Sequence, residues 1–518
     1  MLNKKLVPII GLEIHVELKT DSKMFCSCKN DPFNSAPNTN ICPVCTGQPG
    51  SLPVPNKKAL QWIVKIAQAL NCQIRPLSKF DRKHYFYPDL PKAYQISQYD
   101  EPVGENGHLD LDFMLEENHR EVAHIGITRV HMEEDTAKLD HATNTATLVD
   151  FNRAGVPLVE IVSDPDIQSA VEAKKYCQEL QLIFRYLGIS DADMEKGQMR
   201  CEANISIQEE GKFEIKKEKV LPIRNYKLNN KVEIKNLNSF RAIERGIEYE
   251  IIRQTKMLEQ GETWTQQTRG WDENKNETVM QREKETSADY RYFPEPDIPP
   301  FEPLTIAGSI DIGELPQKKR ARFVEEYGFS LADAEFLTRD KNWSEFAEEV
   351  MSEIIEWLHA MPEVQRDSDE IKKNKREKIA RLAGGWITSK LVGVLTNLKK
   401  DLRTLKIKPE NFAELIALIY TEKINSTNAQ KILQEMVESN TDKDPTHIME
   451  EKGYGQVDDE NKLNKIVDEI IKNYPAQVKQ YQTGKESLLR FLVGMAMKAS
   501  EGSANPKKVE EMLIAKLK

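Results

Sequence analysis

The sequence predicts an α+β fold, with a mixed β-sheet in its N-terminal part and only helices after it. Apolar and polar residues alternate in several N-terminal segments, which is the period of half-buried strands. A proline-rich segment, 293–303, then changes the composition, and apolar residues recur at helical spacing beyond it. We therefore expect a sheet domain over 1–296, a helical domain over 297–406 and a small helical tail over 407–518.

The composition is that of a globular protein. Of the 518 residues, 39% are hydrophobic and 30% are charged. The sequence shows neither an apolar run long enough to span a bilayer nor a secretory segment, and with seven cysteines this favours the reducing cytoplasm. The net charge of -10 argues against nonspecific coating of nucleic acid, although a local basic groove remains compatible with it.

The first element is a strand over 9–18 that alternates strictly between two faces. Its polar face carries Glu13, His15 and Glu17. Neighbours on one face of a strand lie about 7 Å apart, so adjacent side chains can share one cation. A carboxylate-rich set favours Mg²⁺ over zinc. A solvated outer face is the alternative interpretation.

Two close pairs of cysteines follow this strand: Cys26 with Cys28, and Cys42 with Cys45. Their spacing is typical of a structural zinc site with four thiolate ligands. Two disulfides, or four buried thiols, are the alternative, which the absence of a secretory segment disfavours. We expect a zinc knuckle that holds an irregular loop beside the first strand.

A helix over 53–71 is expected next, and the segment 79–89 then interleaves basic residues with aromatic ones. Such a mixture can stack a purine and hold phosphates, for which Arg82 and Lys83 are the candidates. Packing beneath a solvated surface is the alternative.

Two further strands, 122–135 and 199–207, repeat the polar pattern. The side chains that share one face are Arg129, His131 and Glu133 on the first strand, and Arg200, Glu202 and Asn204 on the second. The first strand and the strand 122–135 would supply four or five oxygen and nitrogen ligands, and Glu202 would be a further source of oxygen. Charged edge strands and surface acids are the alternative. Between them we expect a strand over 156–162 and a helix that is capped at 163–166 and runs to about residue 187.

Beyond residue 314 the apolar spacing predicts a run of helices. The segments are 317–327, 331–339, 343–361, 411–420, 426–439, 444–452, 459–473, 475–483, 486–499 and 506–517. The basic cluster 372–378 is typical of a solvated helix face.

Five stretches in order carry a resemblance to a known family. They are Gly11–Leu18, the four cysteines with Pro49–Pro53, His131–Asp135, Glu233–Phe240 and Asp289–Asp297. Together they resemble the B subunits of the tRNA-dependent aspartyl/glutamyl-tRNA amidotransferases, and the resemblance extends from about residue 7 to the C-terminus.

The resemblance implies a kinase-like cradle domain that phosphorylates the side-chain carboxylate of Glu-tRNA(Gln), Asp-tRNA(Asn) or both with ATP. Ammonia then displaces the phosphate and gives the amide. It also implies that the tail domain binds tRNA, that the cysteines hold structural Zn²⁺, and that the protein works with an A subunit carrying the glutaminase and a small C subunit.

Carried over by position, the resemblance assigns Glu13, His15, Glu134 and Glu202 to the Mg²⁺ and ATP site and Lys83 to the phosphates. Strand parity instead places Glu133 beside His131, so both acids stay in the predicted metal set, and a bulge at the strand end would reconcile them. Arg82, Arg129 and Arg200 are further candidates for binding the nucleotide. Position 202 commonly holds Asp in this family, and here holds Glu.

The basic segment and the function itself have alternative interpretations. The basic segment 208–232 is longer than in most family members and could contact tRNA phosphates, or it is a solvated loop. A noncatalytic zinc-containing tRNA-binding scaffold is the alternative function. The archaeal relative specific for Glu-tRNA(Gln) would need a large insertion for which this chain has no room.

Overall fold

The structure, a computed structural model, divides the chain into two compact units, 1–315 and 316–518. It describes residues 5–113, 122–143, 146–216, 219–283, 290–308, 310–360, 369–439, 441–455, 460–500 and 504–517. Asp289 of the fifth motif and the Lys217-Glu218 pair of the basic segment lie outside these residues. The expected three-part division stays a prediction.

The first unit contains the predicted mixed sheet. Its strands are β1 (Leu6–Glu17), β2 (Gln73–Ile74), β3 (Asp81–His84), β4 (Tyr94–Ser97), β5 (Gly104–Asp112), β6 (Val122–Glu134), β7 (Lys138–Thr143), β8 (Ala146–Asp150), β9 (Pro157–Ser163), β10 (Met199–Glu209), β11 (Phe213–Lys216), β12 (Lys219–Pro222), β13 (Val232–Leu237), β14 (Gln267–Asp272), β15 (Glu277–Glu283) and β16 (Phe293–Pro294).

Nine of these strands form one sheet in the order β15-β14-β13-β10-β1-β9-β6-β5-β2. Only the β13–β14 pair in it is parallel among the described strands. Three helices, α1 (Lys57–Ala69), α2 (Ala170–Tyr186) and α3 (Phe240–Glu259), pack against this sheet. The core beneath them is apolar because the alternating strands turn residues such as Leu12 and Ile14 towards it, and both are fully buried.

The turn before α2 differs from the prediction. Ser169, rather than a residue of 163–166, caps the helix, and its hydroxyl accepts a hydrogen bond from the backbone N–H of Glu172. The two acids of the turn are used elsewhere, because Asp164 binds the Thr128 hydroxyl and Asp166 accepts from the backbone N–H of Gly126. They therefore fasten β9 to β6 instead of starting the helix.

A smaller three-stranded sheet, β16-β3-β4, brings two distant motifs together. The N–H of His84 donates to the carbonyl of Tyr290 at 2.8 Å, and the N–H of Glu295 donates to the carbonyl of Phe80 at 2.8 Å. The hairpin β11–β12 occupies part of the basic segment, and a short helix, α4 (Pro303–Ala307), packs on α1.

The second unit is helical, as predicted. Its helices are α5 (Pro316–Arg322), α6 (Leu331–Thr338), α7 (Lys341–Ala360), α8 (Asp369–Gly385), α9 (Val392–Leu398), α10 (Pro409–Tyr420), α11 (Ser426–Ser439), α12 (Pro445–Lys452), α13 (Glu460–Asn473), α14 (Pro475–Gln482), α15 (Ser487–Ala499) and α16 (Pro506–Leu517). Their buried faces form two apolar clusters, one between Phe323 and Ile448 and one between Leu463 and Leu517. None of the helices that the structure describes is long and apolar enough to cross a membrane.

Candidate functional site

A row of charged side chains crosses four neighbouring strands on the polar face of the sheet. Register pairs Arg200 of β10 with His15 of β1, His15 with Glu160 of β9, and Glu160 with His131 of β6. Residues opposite one another in an antiparallel pair point to the same face, so the four side chains form one line. The predicted polar faces of β1, β6 and β10 therefore meet, and β9 lies between two of them.

Glu160 is the centre of this row. Its Oε2 lies 3.4 Å from Nε2 of His15 and 3.2 Å from Nε2 of His131. Burial opposes ionisation, but the two imidazoles outweigh it and hold the pKa of Glu160 well below its usual value. Burial likewise works against both imidazolium ions, and Glu160 nevertheless raises the pKa of His15 and of His131. The three groups stabilise each other in their charged forms.

Glu133 joins the cluster from β6. Its carboxylate accepts hydrogen bonds from the Ser97 hydroxyl at 2.6 Å and the Gln95 amide at 2.9 Å, and it lies 3.4 Å from Nζ of Lys83. Despite complete burial, Lys83 and His131 lower the pKa of Glu133 to about 2. Lys83 is only partly buried, and Glu133 and Glu160 raise its pKa well above the usual value, against the effect of burial.

Glu160 is not among the site residues predicted from the sequence. It sits in the apolar strand Pro157–Ser163, where it is the one acid and is itself buried. A lone carboxylate inside an otherwise apolar strand was the available signal, because a buried charge needs partners. The ligand atoms of His15, Glu133 and Glu160 lie within 4.8 Å of one another, which fits a divalent cation better than a solvated face.

A second group of acids lies on the same face, two residues from His15 on β1 and two residues from Arg200 on β10. Glu13 faces Glu202 across β1 and β10, and the Asn204 amide donates to Glu13 at 2.9 Å. Burial, followed by repulsion from Glu160 and Glu202, raises the pKa of Glu13. Nζ of Lys235 lies 2.7 Å from Glu202. Lys235 is not among the predicted site residues, although the alternation of β13 places it on one face with Glu233.

The structure does not bring Glu134 to this cluster. The β6–β9 register runs without a shift from Arg129 to Glu134, so the bulge expected at the strand end is absent there and lies between Ile127 and Arg129 instead. Glu134 points to the opposite face. There it accepts from the backbone N–H of Ile96 at 2.9 Å and pairs with Lys92 at 2.7 Å.

The arginine candidates have different surroundings. Arg82 makes a bidentate ion pair with Glu295, at 2.7 and 2.8 Å, so its donors are directed away from the cluster. Arg200 donates to the buried carboxylate of Asp135 at 2.7 Å, beside His15. Burial, followed by the proximity of Asp135, raises the pKa of the neighbouring Glu17 well above its usual value.

Arg129 lies at the wall of a cavity that opens beside the cluster. The cavity has a volume of about 490 Å³, and Glu13 and Asn204 line it on the same side. Asn229 and Asn230, from the basic segment, line it as well. The site therefore combines ionised carboxylates with an adjoining polar space of the size that a small ligand needs.

The four cysteines converge as predicted. Their sulfur atoms lie within 4.8 Å of one another. The Cys26 thiol donates to Cys45, and this hydrogen bond, with the Cys42 N–H and the Lys23 ammonium, lowers the pKa of Cys45 to about 4. Sulfur atoms bound to one zinc ion lie about 3.8 Å apart, so a small contraction would make a tetrahedral site. The residues fit zinc.

The cysteine loop contacts the polypeptide beside Glu134. Gly47 has a φ of +66° and lies so close to Lys92 that a Cβ built on it would be 2.5 Å from Cγ of Lys92. Nζ of the buried Lys23 lies 3.7 Å from the Cys45 sulfur and 3.2 Å from the carbonyl of Phe151. The loop is thus packed onto the same end of β6 that carries the acids.

A sheet face on which ionised groups such as Glu133 and Glu160 are buried beside a cavity is typical of an enzyme site, because folding alone gains little from burying such charges. The GatB/GatE catalytic domain family matches residues 8–305, and the GatB domain family matches residues 369–517. The chain belongs to the family of aspartyl/glutamyl-tRNA(Asn/Gln) amidotransferase B subunits, in agreement with the resemblance of its motifs.

Relatives carrying this name resemble the chain over nearly all of its length. The protein of Persephonella marina is 44% identical over 515 residues, covering 99% of both chains. That of Crocosphaera subtropica is 43% identical over 515 residues, covering 97% of this chain and 96% of the relative. That of Carboxydothermus hydrogenoformans is 42% identical over 520 residues, covering 98% of both. Because these relatives are named as one subunit of an amidotransferase, partner subunits are implied for this chain too.

Proposed function

We propose that this chain phosphorylates the side-chain carboxylate of Glu-tRNA(Gln), Asp-tRNA(Asn) or both with ATP, and then holds the acyl phosphate while ammonia converts it to the amide. The relatives named above are amidotransferases for these two tRNAs, and this supports the substrate class. The single observation that carries the proposal is the cluster around Glu160, in which the buried carboxylates of Glu133 and Glu160 stay ionised near a ligand-sized cavity.

The reaction needs charge neutralisation more than a catalytic base. A carboxylate is a poor electrophile, because its negative charge repels nucleophiles and its oxygen is a poor leaving group. Transfer of a phosphoryl group to one of its oxygens removes both obstacles. The attacking carboxylate is already an anion, so the enzyme has to bring two anions together and shield their charges. A site rich in acids, lysine and arginine meets this requirement.

The residues divide into a proposed metal-binding group and a proposed phosphate-binding group. The metal-binding group is Glu13, His15, Glu133, Glu160 and Glu202. A bound Mg²⁺ would neutralise phosphate oxygens and polarise the transferred group. Glu134 is left out of this group because it faces Lys92 on the other side of the strand. The four cysteines would hold zinc in a structural role, since four thiolates leave no open position on the ion.

Lys83 is the proposed phosphate ligand. It is a partly buried cation that already lies 3.4 Å from Glu133, so it can contact a phosphate bound beside the carboxylates without leaving the cluster. Arg129 at the cavity wall, Arg200 beside His15 and Lys235 beside Glu202 are further cations of this face. Arg82 instead holds the segment that contains Glu295 against β3.

The whole reaction requires partners. Glutaminase chemistry would come from an A subunit, and a C subunit would complete a heterotrimer. The helical tail of this chain would bind the tRNA. Ammonia has to reach the acyl phosphate through a shielded path, because in water near neutral pH it becomes the unreactive ammonium ion.

ADP formation tests the proposal. The purified chain, with A and C partner subunits, Mg²⁺ and γ-labelled ATP, is mixed with Glu-tRNA(Gln), Asp-tRNA(Asn) or the same tRNAs uncharged. The proposal predicts ADP only with an aminoacylated tRNA, and no ADP in Glu13→Ala. If tRNA binds while ATP stays intact, the chain is a tRNA-binding scaffold and the proposal is wrong.

A further inference from the structure

Two histidines and an aspartate form a separate cluster near the edge of the sheet. His108 and Asp110 lie two residues apart on β5, and His124, on the neighbouring strand β6, is paired with Asp110. The ligand atoms of the three side chains lie within 4.8 Å of one another. The proposed reaction uses none of them. His124 and His131 are both on β6, and the spacing of the strand puts them about 23 Å apart, so the two clusters are distinct.

The three side chains are held as a set by the register of the hairpin. Nδ1 of His124 lies 2.7 Å from Oδ1 of Asp110, and the His108 and His124 rings stack with their centroids 4.5 Å apart. A metal ion bound between them would take one nitrogen from each ring in its neutral form.

Additional negative charge lies next to the cluster. Gly126 is the cross-strand neighbour of His108, and a Cβ built on Gly126 would be 2.4 Å from Oδ2 of Asp164. The Asp164 carboxylate therefore occupies the space above Gly126, beside the histidines. The site remains open to solvent, because the side chains of His124 and Asp110 are 64% and 58% exposed.

We propose that His108, Asp110 and His124 form a binding site for one borderline divalent transition-metal ion, of the class of Zn²⁺ and Co²⁺. Two imidazoles and one carboxylate are a donor set that such ions prefer, whereas Mg²⁺ prefers sets in which carboxylate oxygens predominate, as in the cluster around Glu160. Three protein ligands leave at least one position for water. Because these side chains are exposed, small changes of rotamer can bring their ligand atoms to coordination distance of one ion. A bound ion would join β5 to the strand that carries His131 and Glu133.

Cobalt binding to the full-length chain tests this site. The protein is saturated with Mg²⁺, its zinc content is measured, and Co²⁺ is added while its absorption is recorded. We expect one further equivalent of Co²⁺ with nitrogen and oxygen ligation, which lacks the charge-transfer absorption of cobalt thiolates. The site should weaken at least tenfold in Asp110→Asn and in His124→Gln.

His141→Gln is the matched control, since His141 is exposed on β7 and bonds only to the Thr147 hydroxyl among the contacts described for it. It should bind the additional Co²⁺ as the unaltered chain does. Circular dichroism verifies that each variant folds, and Asp110→Asn keeps the test available if His124→Gln does not fold. The proposal is wrong if the unaltered chain takes up no further Co²⁺, or if all three variants take it up equally.

Discussion

Nε2 of His15 lies 3.4 Å from Oε2 of Glu160, and this contact is made by the pairing of β1 with β9. The same oxygen also contacts His131 from the other neighbouring strand. The position of β9 between β1 and β6 therefore turns three separate polar strand faces into one site. The order of strands, more than any single motif, creates the cluster.

Replacing Glu160 with glutamine should disable the site while preserving its shape. Glu160→Gln removes the charge that raises the pKa of His15 and of His131 and that would bind the metal. We expect metal affinity to fall about 10- to 100-fold and aminoacyl-tRNA-dependent ADP formation to fall at least as much. Calorimetry with Mn²⁺ and the ADP assay measure the two effects. Glu244→Gln, which removes a surface pair with Lys174, is the control; equal losses in both variants would contradict the role of Glu160.

The adjacent acids Glu133 and Glu134 should differ in function. Glu133→Gln should lower metal affinity about tenfold or more, because its carboxylate lies in the cluster. Glu134→Gln should leave metal affinity within about twofold and instead lower the melting temperature, since it breaks the buried pair with Lys92. Mn²⁺ titration and thermal unfolding of the two variants give the comparison. The reverse order of metal affinities would favour Glu134 as the ligand.

Removing the charge of Lys83 should slow phosphoryl transfer. In Lys83→Met we expect kcat for ADP formation to fall about 100-fold, because the cation is needed most where phosphate charge develops. Binding of the aminoacyl-tRNA, measured by fluorescence anisotropy, should be unchanged. Lys19→Met, at a surface pair with Asp191, should retain full activity. A change confined to tRNA binding would mean that Lys83 does not act on the nucleotide.

Metal affinity should rise with pH. Burial opposes protonation of His15, but Glu160 outweighs burial and raises the pKa of His15 above 6.5. Below that raised pKa the imidazolium excludes a metal, and above it the neutral ring can ligate, so affinity increases as the pH rises above 6.5. Calorimetry in buffers of different ionisation enthalpy should detect proton release on Mn²⁺ binding. Affinity that does not depend on pH, with no proton release, would exclude His15 as a ligand.

Loss of zinc should loosen the cysteine loop before it affects the sheet. The loop packs against Lys92 through Gly47, so metal removal should raise hydrogen exchange over 24–54 and 92–96. By elemental analysis we expect one zinc ion per chain in the unaltered protein and none in Cys28→Ser. Ser27→Ala is the control, because it changes the same loop without touching a ligand. Full zinc content in Cys28→Ser would contradict four-cysteine ligation.

Much of the site could be predicted from the sequence, because alternation determines which side chains share a face. The parity of β6 placed Glu133 with His131, as the structure does, and the cysteine spacing predicted the cluster of four thiols. Glu160 could not be placed from its own strand, since its role depends on which strands β9 lies between. The pairing of strands that are distant in the sequence leaves no signal in the residues around Glu160. The partner of Arg82 is equally distant, because Glu295 reaches it only through the pairing of β16 with β3.

The fate of the side-chain oxygen tests the proposed chemistry most directly. Glu-tRNA(Gln) labelled with ¹⁸O in both oxygens of its side-chain carboxylate is converted by the chain and its partner subunits with ATP and glutamine, and the released phosphate is examined by mass spectrometry. If the carboxylate attacks the γ-phosphorus and ammonia then displaces the phosphate, one phosphate is released for each amide formed. Each of these phosphates carries one ¹⁸O atom. Amide formation with unlabelled phosphate would contradict a side-chain acyl phosphate and the function proposed for the cluster around Glu160.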